Sequence, residues 1–363
     1  MKKPILLLAV AIGLMGCGGN NALSSGDEAK ASLASDARHD VHIRVRKAWD
    51  ANKHCAFTSI IKFNGRYYLS FREADSHIFD DDGIARGGTR ILVSDDGDNW
   101  TSVAHLLKDG YDLRDPKLSI TPDGRLMVII GGSIYNPATK HLDGCKPQVS
   151  FSSDGVNFTD PQPVEINSKT ANGKDWIWRV DWLDGVGYGV CYSVVDGDPR
   201  ARISLLKTTD GIHYSDVANF NLPDFPNEAT VRFLPDKRML MMVREDANHP
   251  IEGYWGISNP PYTDWEFKKL GFQVGGPDFI VTDDNTVIAG TRSYFVPGSH
   301  KTVLMKGTID GKFQEVCFLP SSGDTSYPGF LVEGDELWVS YYSTHATPKA
   351  AVYVAKMPLS MFK

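Results

Sequence analysis

The feature that most constrains this fold is a short hairpin pattern that recurs along the chain. Its clearest copy runs from Asn227 to Arg244, where apolar and polar residues alternate on either side of a turn that begins at Pro235. Such alternation predicts two antiparallel β-strands joined by a tight turn. The start of the first strand and the end of the second lie at one edge of such a hairpin, so we expect Glu228 to neighbour Arg244.

Five further copies share this plan, each centred on a turn rich in Asn, Asp or Gly. They run from Phe57 to Arg72, Lys117 to Gly131, Arg179 to Tyr192, Asp278 to Arg292 and Tyr327 to Tyr342. The copies are spaced by about 50 to 60 residues, which is typical of propeller blades. No long helical period interrupts them. The sequence therefore predicts an all-β fold, a six-bladed β-propeller with four strands in each blade.

A second motif, S/T-x-D-G-x-x-aromatic, follows several of the hairpins. In it the Asp side chain can accept hydrogen bonds from backbone N–H groups, the Gly adopts a positive φ, and the aromatic ring packs back onto the sheet. We interpret these motifs as structural turns between outer strands, with no catalytic role. Full copies begin at Ser94, Ser152 and Thr208, and a degenerate copy begins at Thr308.

The first and last strands of the fold are predicted to pair. After the sixth hairpin only one further strand is evident, from Ala351 to Lys356. We expect the early strand from Val41 to Trp49 to lie beside it, which would complete a four-stranded blade and close the ring. Residues 41–363 are therefore predicted to form a single domain.

The N-terminal segment is predicted to lie outside this domain. A basic start followed by an apolar run from Ile5 to Leu14 is typical of a secretory signal. The run ends in Leu-Met-Gly-Cys, which resembles a bacterial lipobox and implies cleavage before Cys17 and a lipid on its thiol. Residues 1–17 are thus predicted to be a lipoprotein signal, and residues 18–40 a flexible tether. The resemblance implies an outer-membrane lipoprotein, on the periplasmic or cell-surface face, that contacts the membrane through Cys17.

Composition argues against several partners and cofactors. The net charge is −7 and no basic cluster occurs, which argues against nucleic acid as a partner. No metal-ligand cluster or phosphate-binding loop is visible, so we predict no metal and no cofactor. We also expect the protein to be a monomer. The other cysteines are widely spaced and form no CxxC pattern, so we expect buried thiols, with one disulfide left open. They are Cys55, Cys145, Cys191 and Cys317.

Charged and aromatic residues are predicted to collect at one rim of the ring. Seven residues after the turn, three hairpins carry an arginine, namely Arg72, Arg244 and Arg292. Arginines in register repel one another unless an anion or carboxylates lie between them, so this rim is the predicted functional site. Tyr192 and Tyr342 stand at equivalent positions, and the strand starts add His54, Asp115 with Lys117, Arg179 with Asp181, Glu228, Asp278 and Tyr327.

The order of these motifs resembles that of the sialidases (neuraminidases) over nearly the whole predicted domain. The turns are similar to the Asp-boxes of sialidase propellers. The other shared segments are Asn-Glu-x-x-Val from position 227, Val-Arg from 243, Thr-Arg from 291 and Ser-Tyr-Pro-Gly-Phe-Leu from 326. The resemblance implies that Glu228 acts as base to a nucleophilic Tyr327. It also implies that Arg244 and Arg292 grip the substrate carboxylate, while Arg72 lies near the ring substituents.

The resemblance also implies an acid/base aspartate in the loop after Arg72. Four aspartates fall in this loop. Asp75 is nearest to the arginine and is preferred over Asp80, Asp81 and Asp82.

One departure from the family lies at the start of the first blade. The family's first carboxylate-binding arginine belongs to an Arg-Ile-Pro motif, whereas this chain reads Lys-His-Cys-Ala-Phe from position 53. We expect the carboxylate clamp to be re-formed with Arg72 or Arg114. Asp115 and Arg179 are further candidates for substrate binding.

The histidine at this departure suggests a second family. His54, together with His77 on the next loop, is similar to residues of propeller enzymes that act on rhamnose linked to glucuronic acid. Those enzymes use a catalytic histidine. The resemblance makes His54 an alternative catalytic residue and His77 a candidate for substrate binding.

Three functions remain open from the sequence. The leading hypothesis is an exo-acting glycoside hydrolase that releases a terminal acidic sugar, sialic acid or a relative, from glycans. A tyrosine suits this reaction because an anomeric carbon that bears a carboxylate repels a carboxylate nucleophile. The alternatives are a histidine-dependent hydrolase or lyase acting on uronic-acid-containing polysaccharide, and a non-catalytic glycan-binding propeller.

Overall fold

The fold is built almost entirely of β-strands. A computed structural model describes residues 43–196, 201–246, 251–294 and 299–363. The predicted signal, Cys17 and the tether lie outside these residues. Within the described ranges, the one helix is a single 3-10 turn, Leu359–Phe362, and no helix has the length and apolar character needed to cross a membrane.

The strands form six sheets, which are the blades of a β-propeller. The first strand, β1 (Arg44–Trp49), belongs to the last blade. Blade 1 comprises β2 (His54–Phe63), β3 (Arg66–Ala74), β4 (Gly88–Ser94) and β5 (Thr101–Leu106). Blade 2 comprises β6 (Asp112–Ile120), β7 (Leu126–Tyr135), β8 (Leu142–Cys145), β9 (Gln148–Ser152) and β10 (Gln162–Pro163). Blade 3 comprises β11 (Glu165–Asn167), β12 (Asp175–Leu183), β13 (Val186–Ser193), β14 (Arg202–Thr208) and β15 (His213–Phe220).

The second half of the ring is more regular. Blade 4 comprises β16 (Pro226–Phe233), β17 (Met239–Glu245), β18 (Tyr254–Ser258) and β19 (Glu266–Lys269). Blade 5 comprises β20 (Asp278–Val281), β21 (Val287–Ser293), β22 (Lys301–Gly307) and β23 (Phe313–Phe318). Blade 6 comprises β24 (Thr325–Glu333), β25 (Glu336–Ser343), β26 (Ala351–Pro358) and β1.

The predicted all-β, six-bladed architecture is confirmed. All six predicted hairpins form the inner strand pairs, and β1 pairs antiparallel with β26 from Arg44 opposite Lys356. The expectation of four strands in every blade was wrong for blades 2 and 3. Each has a fifth strand, β8 beside β7 and β11 parallel to β15. These additions are only four and three residues long, too short to show a period in the sequence.

A β-bulge interrupts the first strand of most blades close to the rim. In blade 6 the pairing shifts between Ser326 and Gly329, so Tyr327 and Pro328 together oppose the single residue Tyr341. Such bulges re-aim side chains, here toward the propeller axis. The sequence analysis missed them, although a proline inside a strand pattern is a signal for a bulge. Equivalent shifts lie at Phe57-Thr58, Asp115-Pro116, Trp178-Arg179 and Asn227-Glu228.

The S/T-x-D-G turns connect the outer strands of blades 1, 2, 3 and 5, and each packs against the neighbouring blade. In blade 1, Asp96 Oδ1 accepts hydrogen bonds of 2.8 Å from the backbone N–H groups of Asp98 and Asn99. Gly97 has φ +69°, and a Cβ on it would lie 2.0 Å from the ring of Trp338 in blade 6. The glycine is therefore required both by its φ and by this close approach. Gly155, Gly211 and Gly311 meet Tyr68, Met127 and Trp255 in the same way.

Apolar side chains fill the space between blades, and the cysteines belong to this interior. All four described cysteines are buried and free, so the disulfide left open by the sequence does not form among them. Burial raises the pKa of the Cys55 thiol to about 12, which leaves it protonated and unreactive at neutral pH.

Candidate active site

A tyrosine from blade 6 and a glutamate from blade 4 meet near the axis of the ring. Tyr327 Oη donates a 2.7 Å hydrogen bond to Glu228 Oε1. Both residues lie on bulges, in β24 and β16, and both are buried, with 7% and 8% of their surface exposed. Burial, and then the Glu228 carboxylate, raise the pKa of the Tyr327 phenol well above its ordinary value of 10. The phenol is therefore neutral at rest, and Glu228 is placed to accept its proton.

Arg244 orients this pair. Its Nη1 donates to Glu228 Oε2 at 2.9 Å and to Tyr327 Oη at 3.0 Å, and its Nε donates to Asp246. The backbone N–H of Gly276 donates to the same Glu228 oxygen at 3.0 Å. Burial alone would lower the pKa of Arg244, but Glu228 and Tyr327 raise it well above its ordinary value. The structure thus brings Glu228 and Arg244 into contact, as the hairpin pattern predicted.

Arg292 lies on the other side of Tyr327. Its guanidinium carbon is 5.8 Å from the centre of the Tyr327 ring. Its Nε donates to the carbonyl of Thr325 at 2.9 Å, and its Nη2 donates to Tyr342 Oη at 3.2 Å and approaches Asp324 Oδ1 at 3.5 Å. A carboxylate of the protein itself therefore already faces this arginine.

Asp324 gathers two histidines beside the tyrosine–glutamate pair. Its Oδ2 lies 2.8 Å from His54 Nε2 and 2.9 Å from His77 Nδ1, and its Oδ1 accepts a 2.7 Å bond from Tyr342. Burial would raise the pKa of Asp324, but its bonds to both histidines lower it well below its ordinary value. An ionised carboxylate can only accept, so both ring nitrogens are donors. Burial lowers the pKa of His54 to about 4 and that of His77 below 6.5, so both rings are neutral at neutral pH.

The same three residues are a candidate metal set. His54, His77 and Asp324 present ligand atoms within 4.8 Å of one another, and two imidazoles with a carboxylate can bind zinc. The surroundings oppose a cation, because Arg292 approaches the carboxylate and Arg114 donates to the His77 carbonyl at 2.8 Å. The hydrogen bonds already made by Asp324 therefore fit proton chemistry better than metal binding.

Arg72 and Arg114 form a buried group behind this cluster. Arg72 has no exposed surface and donates to both oxygens of Asp112, at 2.7 and 3.0 Å. Arg114 donates to the same carboxylate at 3.1 Å. The structure thus places Arg72 out of reach of a substrate and corrects the role that the resemblance implied. The two arginines instead hold the loop after β3, through the carbonyls of Ser76 and His77.

The loop aspartates do not join the tyrosine–glutamate pair. Asp75 is half exposed and pairs with Lys53 at 3.2 Å. Asp80 and Asp82 both pair with Arg86; the Asp82 side chain is exposed, whereas that of Asp80 is largely buried. Nothing among the described residues draws Asp75, the preferred acid/base of the sequence analysis, toward Glu228 or Tyr327.

Asp115 and Lys117 are buried at the axis below the pair. Asp115 is 5% exposed, and its Oδ1 has no hydrogen-bond partner within the described part of the chain. Burial raises its pKa, while burial lowers the pKa of Lys117. Lys117 Nζ donates to the carbonyls of Phe57 and Thr58 and lies 4.9 Å from the centre of the Trp178 ring.

Arg179 belongs to the opposite end of the axis. It donates to the carbonyl of Pro328 at 2.9 Å and pairs with Asp278 at 3.3 Å. It lines a cavity of about 310 Å³ together with Ile120 and Trp182, residues toward the hairpin turns. This position separates Arg179 from the tyrosine–glutamate pair and does not favour substrate contact there.

Comparison with known proteins shows the fold. No protein-family model matches the chain, and no curated protein sequence does. A protein of unknown function from Dyadobacter fermentans superposes with a TM-score of 0.73 at 18% identity, covering 88% of this chain and all of that one. A Trypanosoma rangeli sialidase gives 0.65 at 14% identity, covering 84% of this chain and 55% of the sialidase. The Fusarium graminearum α-L-arabinofuranosidase Arb93A gives 0.64 at 14% identity, covering 88% and 98%. The chain thus has a glycosidase-like propeller fold and spans about half of that sialidase.

Asp324 is the main site residue that the sequence analysis missed. It precedes β24, carries no motif, and meets His54 and His77 only because the ring brings blades 1 and 6 together. Asp246 was also missed, although its position two residues after Arg244 indicates that it lies at the same rim.

Proposed function

We propose that this protein is an exo-acting glycoside hydrolase that releases a terminal acidic sugar, sialic acid or a relative, with Tyr327 as nucleophile. The observation that carries the proposal is the buried 2.7 Å hydrogen bond from Tyr327 to Glu228. A phenol is a weak nucleophile until a base takes its proton, and the carboxylate in contact with it is that base.

The reaction divides into two displacements. Tyr327 Oη attacks the anomeric carbon while its proton passes to Glu228 Oε1. The bond from that carbon to the glycosidic oxygen breaks, and the leaving group departs as an alcohol after protonation by a general acid, giving a covalent glycosyl-tyrosine. Water then attacks the same carbon from the side vacated by the leaving group, and the phenol recovers its proton from Glu228. Two inversions give net retention of configuration. Arg244 contacts both residues and stabilises the charge that moves between them.

The acidic character of the sugar is supported by the two arginines that flank Tyr327. A guanidinium binds a carboxylate through charge-assisted hydrogen bonds worth about 1.5 to 3 kcal/mol. The Asp324 carboxylate near Arg292 offsets part of the positive charge at the site. Glu228 and Asp246 offset the charge of Arg244 in the same way, so we expect both arginines to share the binding of the substrate carboxylate.

A substrate screen tests this proposal. The purified protein is incubated with sialosides, Kdo-terminated oligosaccharides and uronate-terminated oligosaccharides, and the first-formed anomer is identified by proton NMR. We expect release of a terminal acidic sugar with retained configuration, and loss of release in Tyr327→Phe. Inversion, or full release by Tyr327→Phe on the responsive substrate, would contradict the proposal.

One observation favours a second function, a histidine-dependent hydrolase or lyase acting on uronic-acid-containing polysaccharide. It is the contact of His54 and His77 with one carboxylate, Asp324. In this case His54→Ala abolishes cleavage of a rhamnosyl-glucuronate oligosaccharide while Tyr327→Phe has a mild effect. A glycan-binding propeller without catalysis would show binding in the same screen and release nothing.

A further inference from the structure

The sequence analysis placed the acid/base in the loop between β3 and β4 and preferred Asp75. The structure does not bring Asp75 to the site. Asp75 lies against Lys53 and solvent. His77, two residues later, is instead tied to Asp324 by a 2.9 Å bond and has a third of its side-chain surface exposed. The loop therefore presents an imidazole to the site rather than a carboxyl group.

The tautomer of His77 follows from this contact. Asp324 accepts the proton of Nδ1, so Nε2 carries the lone pair of the neutral ring. Within the described residues, His77 Nε2 has no hydrogen-bond partner. It is also not one of the buried unpartnered atoms, so it is open to a substrate. The other histidine differs, because His54 Nδ1 is buried without a partner. His77 is thus the accessible imidazole, and His54 is an anchor for Asp324.

Packing fixes the ring close to the nucleophile. The edge of Phe57 contacts His77 and Tyr327, with ring centres 5.5 and 4.9 Å apart. The backbone of the loop is held from behind, since Arg72 donates to the Ser76 carbonyl and Arg114 to the His77 carbonyl. A buried ion cluster thus supports the loop, which gives the imidazole a defined place at the mouth of the site.

We propose that His77 is the general acid/base of this glycoside hydrolase and that Asp324 is its positioning residue. The inference rests on the proposed function, because it assigns the proton transfers that the tyrosine mechanism requires. Asp324 binds His77 Nδ1, the ring nitrogen that does not react, and so fixes the orientation of the imidazole. A carboxylate orients a general-base histidine in the same way.

The proton balance is complete with these residues. The acid is the protonated form of His77, the imidazolium, which carries a proton on Nε2 as well as on Nδ1. In the first step it gives the Nε2 proton to the glycosidic oxygen as the bond from that oxygen to the anomeric carbon breaks. The leaving group departs as a neutral alcohol, and neutral His77 remains. In the second step His77 Nε2 takes a proton from the attacking water as the bond to Tyr327 breaks. His77 is then again protonated and Tyr327 has regained its proton from Glu228.

Leaving-group dependence tests the assignment. A general acid matters for a poor leaving group and little for one that departs without protonation. The probes are α2,3-sialyllactose and 4-methylumbelliferyl sialoside, or the equivalent pair for the sugar found active. We expect His77→Ala to lower kcat/KM by about 10²- to 10⁴-fold on the oligosaccharide and by less than about 10-fold on the aryl glycoside. His141→Ala, on an exposed loop, is the matched control and should change neither.

The positioning role of Asp324 has its own readout. The groups that face His77 are Asp324 and His54 from one side and Arg72 and Arg114 from the other. Removing the one carboxylate lowers the pKa of His77 further. Asp324→Asn should therefore move the alkaline decline of kcat/KM on the oligosaccharide to lower pH, which a merely structural residue would not do.

The outcomes separate this inference from the function on which it rests. If Tyr327→Phe abolishes cleavage of both probes while His77→Ala slows both equally, the nucleophile stands and the acid/base assignment falls. A selective effect of Asp75→Asn on the oligosaccharide, or activity lost to a chelator and restored by zinc, would also overturn the assignment. If Tyr327→Phe cleaves both probes at the wild-type rate, the proposed function itself fails.

Discussion

Asp112 accepts hydrogen bonds of 2.7 and 3.0 Å from Arg72, and neither side chain has any exposed surface. The carboxylate also receives Arg114 at 3.1 Å. Two guanidiniums and one carboxylate are therefore buried together behind the loop that carries His77. Asp115 approaches Arg114 only at 3.9 Å, so Asp112 is the carboxylate that both guanidiniums share and is critical for stability.

We expect Asp112→Asn to lower the free energy of unfolding by about 3 to 5 kcal/mol, because it leaves Arg72 buried without its counter-charge and Arg114 with only the more distant Asp115. Denaturant unfolding measures this change. The matched control is Asp95→Asn, which breaks an exposed pair with Arg66 and should cost less than about 1 kcal/mol. Equal effects of the two substitutions would contradict the role of the buried group.

The stability that Asp112 contributes should be lost as the pH becomes acidic. Burial would raise its pKa, but Arg72 and Arg114 lower it below its ordinary value of 3.8. A group whose pKa is lower in the folded state stabilises the fold above the unfolded pKa and loses this contribution as pH falls through the folded value. The difference in stability between the wild type and Asp112→Asn should therefore be full at neutral pH and shrink below about pH 4. A constant difference down to strongly acidic pH would contradict this.

The S/T-x-D-G turns, which pack against the neighbouring blade, give a second stability test. Gly97→Ala places a Cβ at a φ of +69° and against the Trp338 ring. We expect a loss of about 2 to 5 kcal/mol from the left-handed backbone and the overpacking together. Gly110→Ala is the matched control, because Gly110 has φ +80° with open space around it and should lose only about 1 to 2 kcal/mol. Thermal unfolding of both variants would show no difference if the turn does not pack on the neighbouring blade.

The pH dependence of activity follows from His77. Burial lowers its pKa below 6.5, against the opposing effect of Asp324. A general acid must be protonated, so kcat/KM on the oligosaccharide should fall as pH rises, with its midpoint below 6.5. The residual activity of His77→Ala should lack this decline. A rate that rises with pH through this range would contradict the assignment.

The fold was predictable because it depends on local signals that repeat. Turns such as the one after Pro235 and alternating strands mark each hairpin, and antiparallel pairing placed Glu228 beside Arg244 without knowledge of other blades. The contact between Tyr327 and Glu228 was expected only through the resemblance, since no local rule relates residues 99 positions apart.

The rest of the site depends on bulges and on loops from different blades. A bulge inserts one residue and re-aims its neighbours, so counting positions from a turn identifies the rim but not the direction of each side chain. This is why Arg72 was expected to face the substrate and instead faces Asp112. Asp324 was missed because its partners, His54 and His77, lie some 250 residues away in sequence, beyond the reach of any pattern.

The predicted lipid anchor lies outside the described residues and stays a prediction. We expect Cys17→Ser to block lipidation and release the protein from membranes while leaving the propeller folded. Each buried methylene of the lipid contributes about 0.8 kcal/mol, so the loss of the acyl chains decides attachment. Membrane fractionation with detection of the protein in each fraction checks this. A Cys17→Ser variant that stays with the membranes would contradict the anchor.

The central claim is that Tyr327 is the nucleophile and Glu228 its base, and turnover by Tyr327→Phe tests it most directly. The substitution removes one oxygen and preserves the ring that packs on Phe57. Tyr192→Phe makes the same change at the same rim and should stay within about tenfold of the wild type. We predict that Tyr327→Phe lowers kcat by about 10³-fold or more with little change in stability. Glu228→Gln should lower kcat comparably, and the double variant should be no slower than either alone. A Tyr327→Phe protein that turns over the substrate at the wild-type rate would contradict the account.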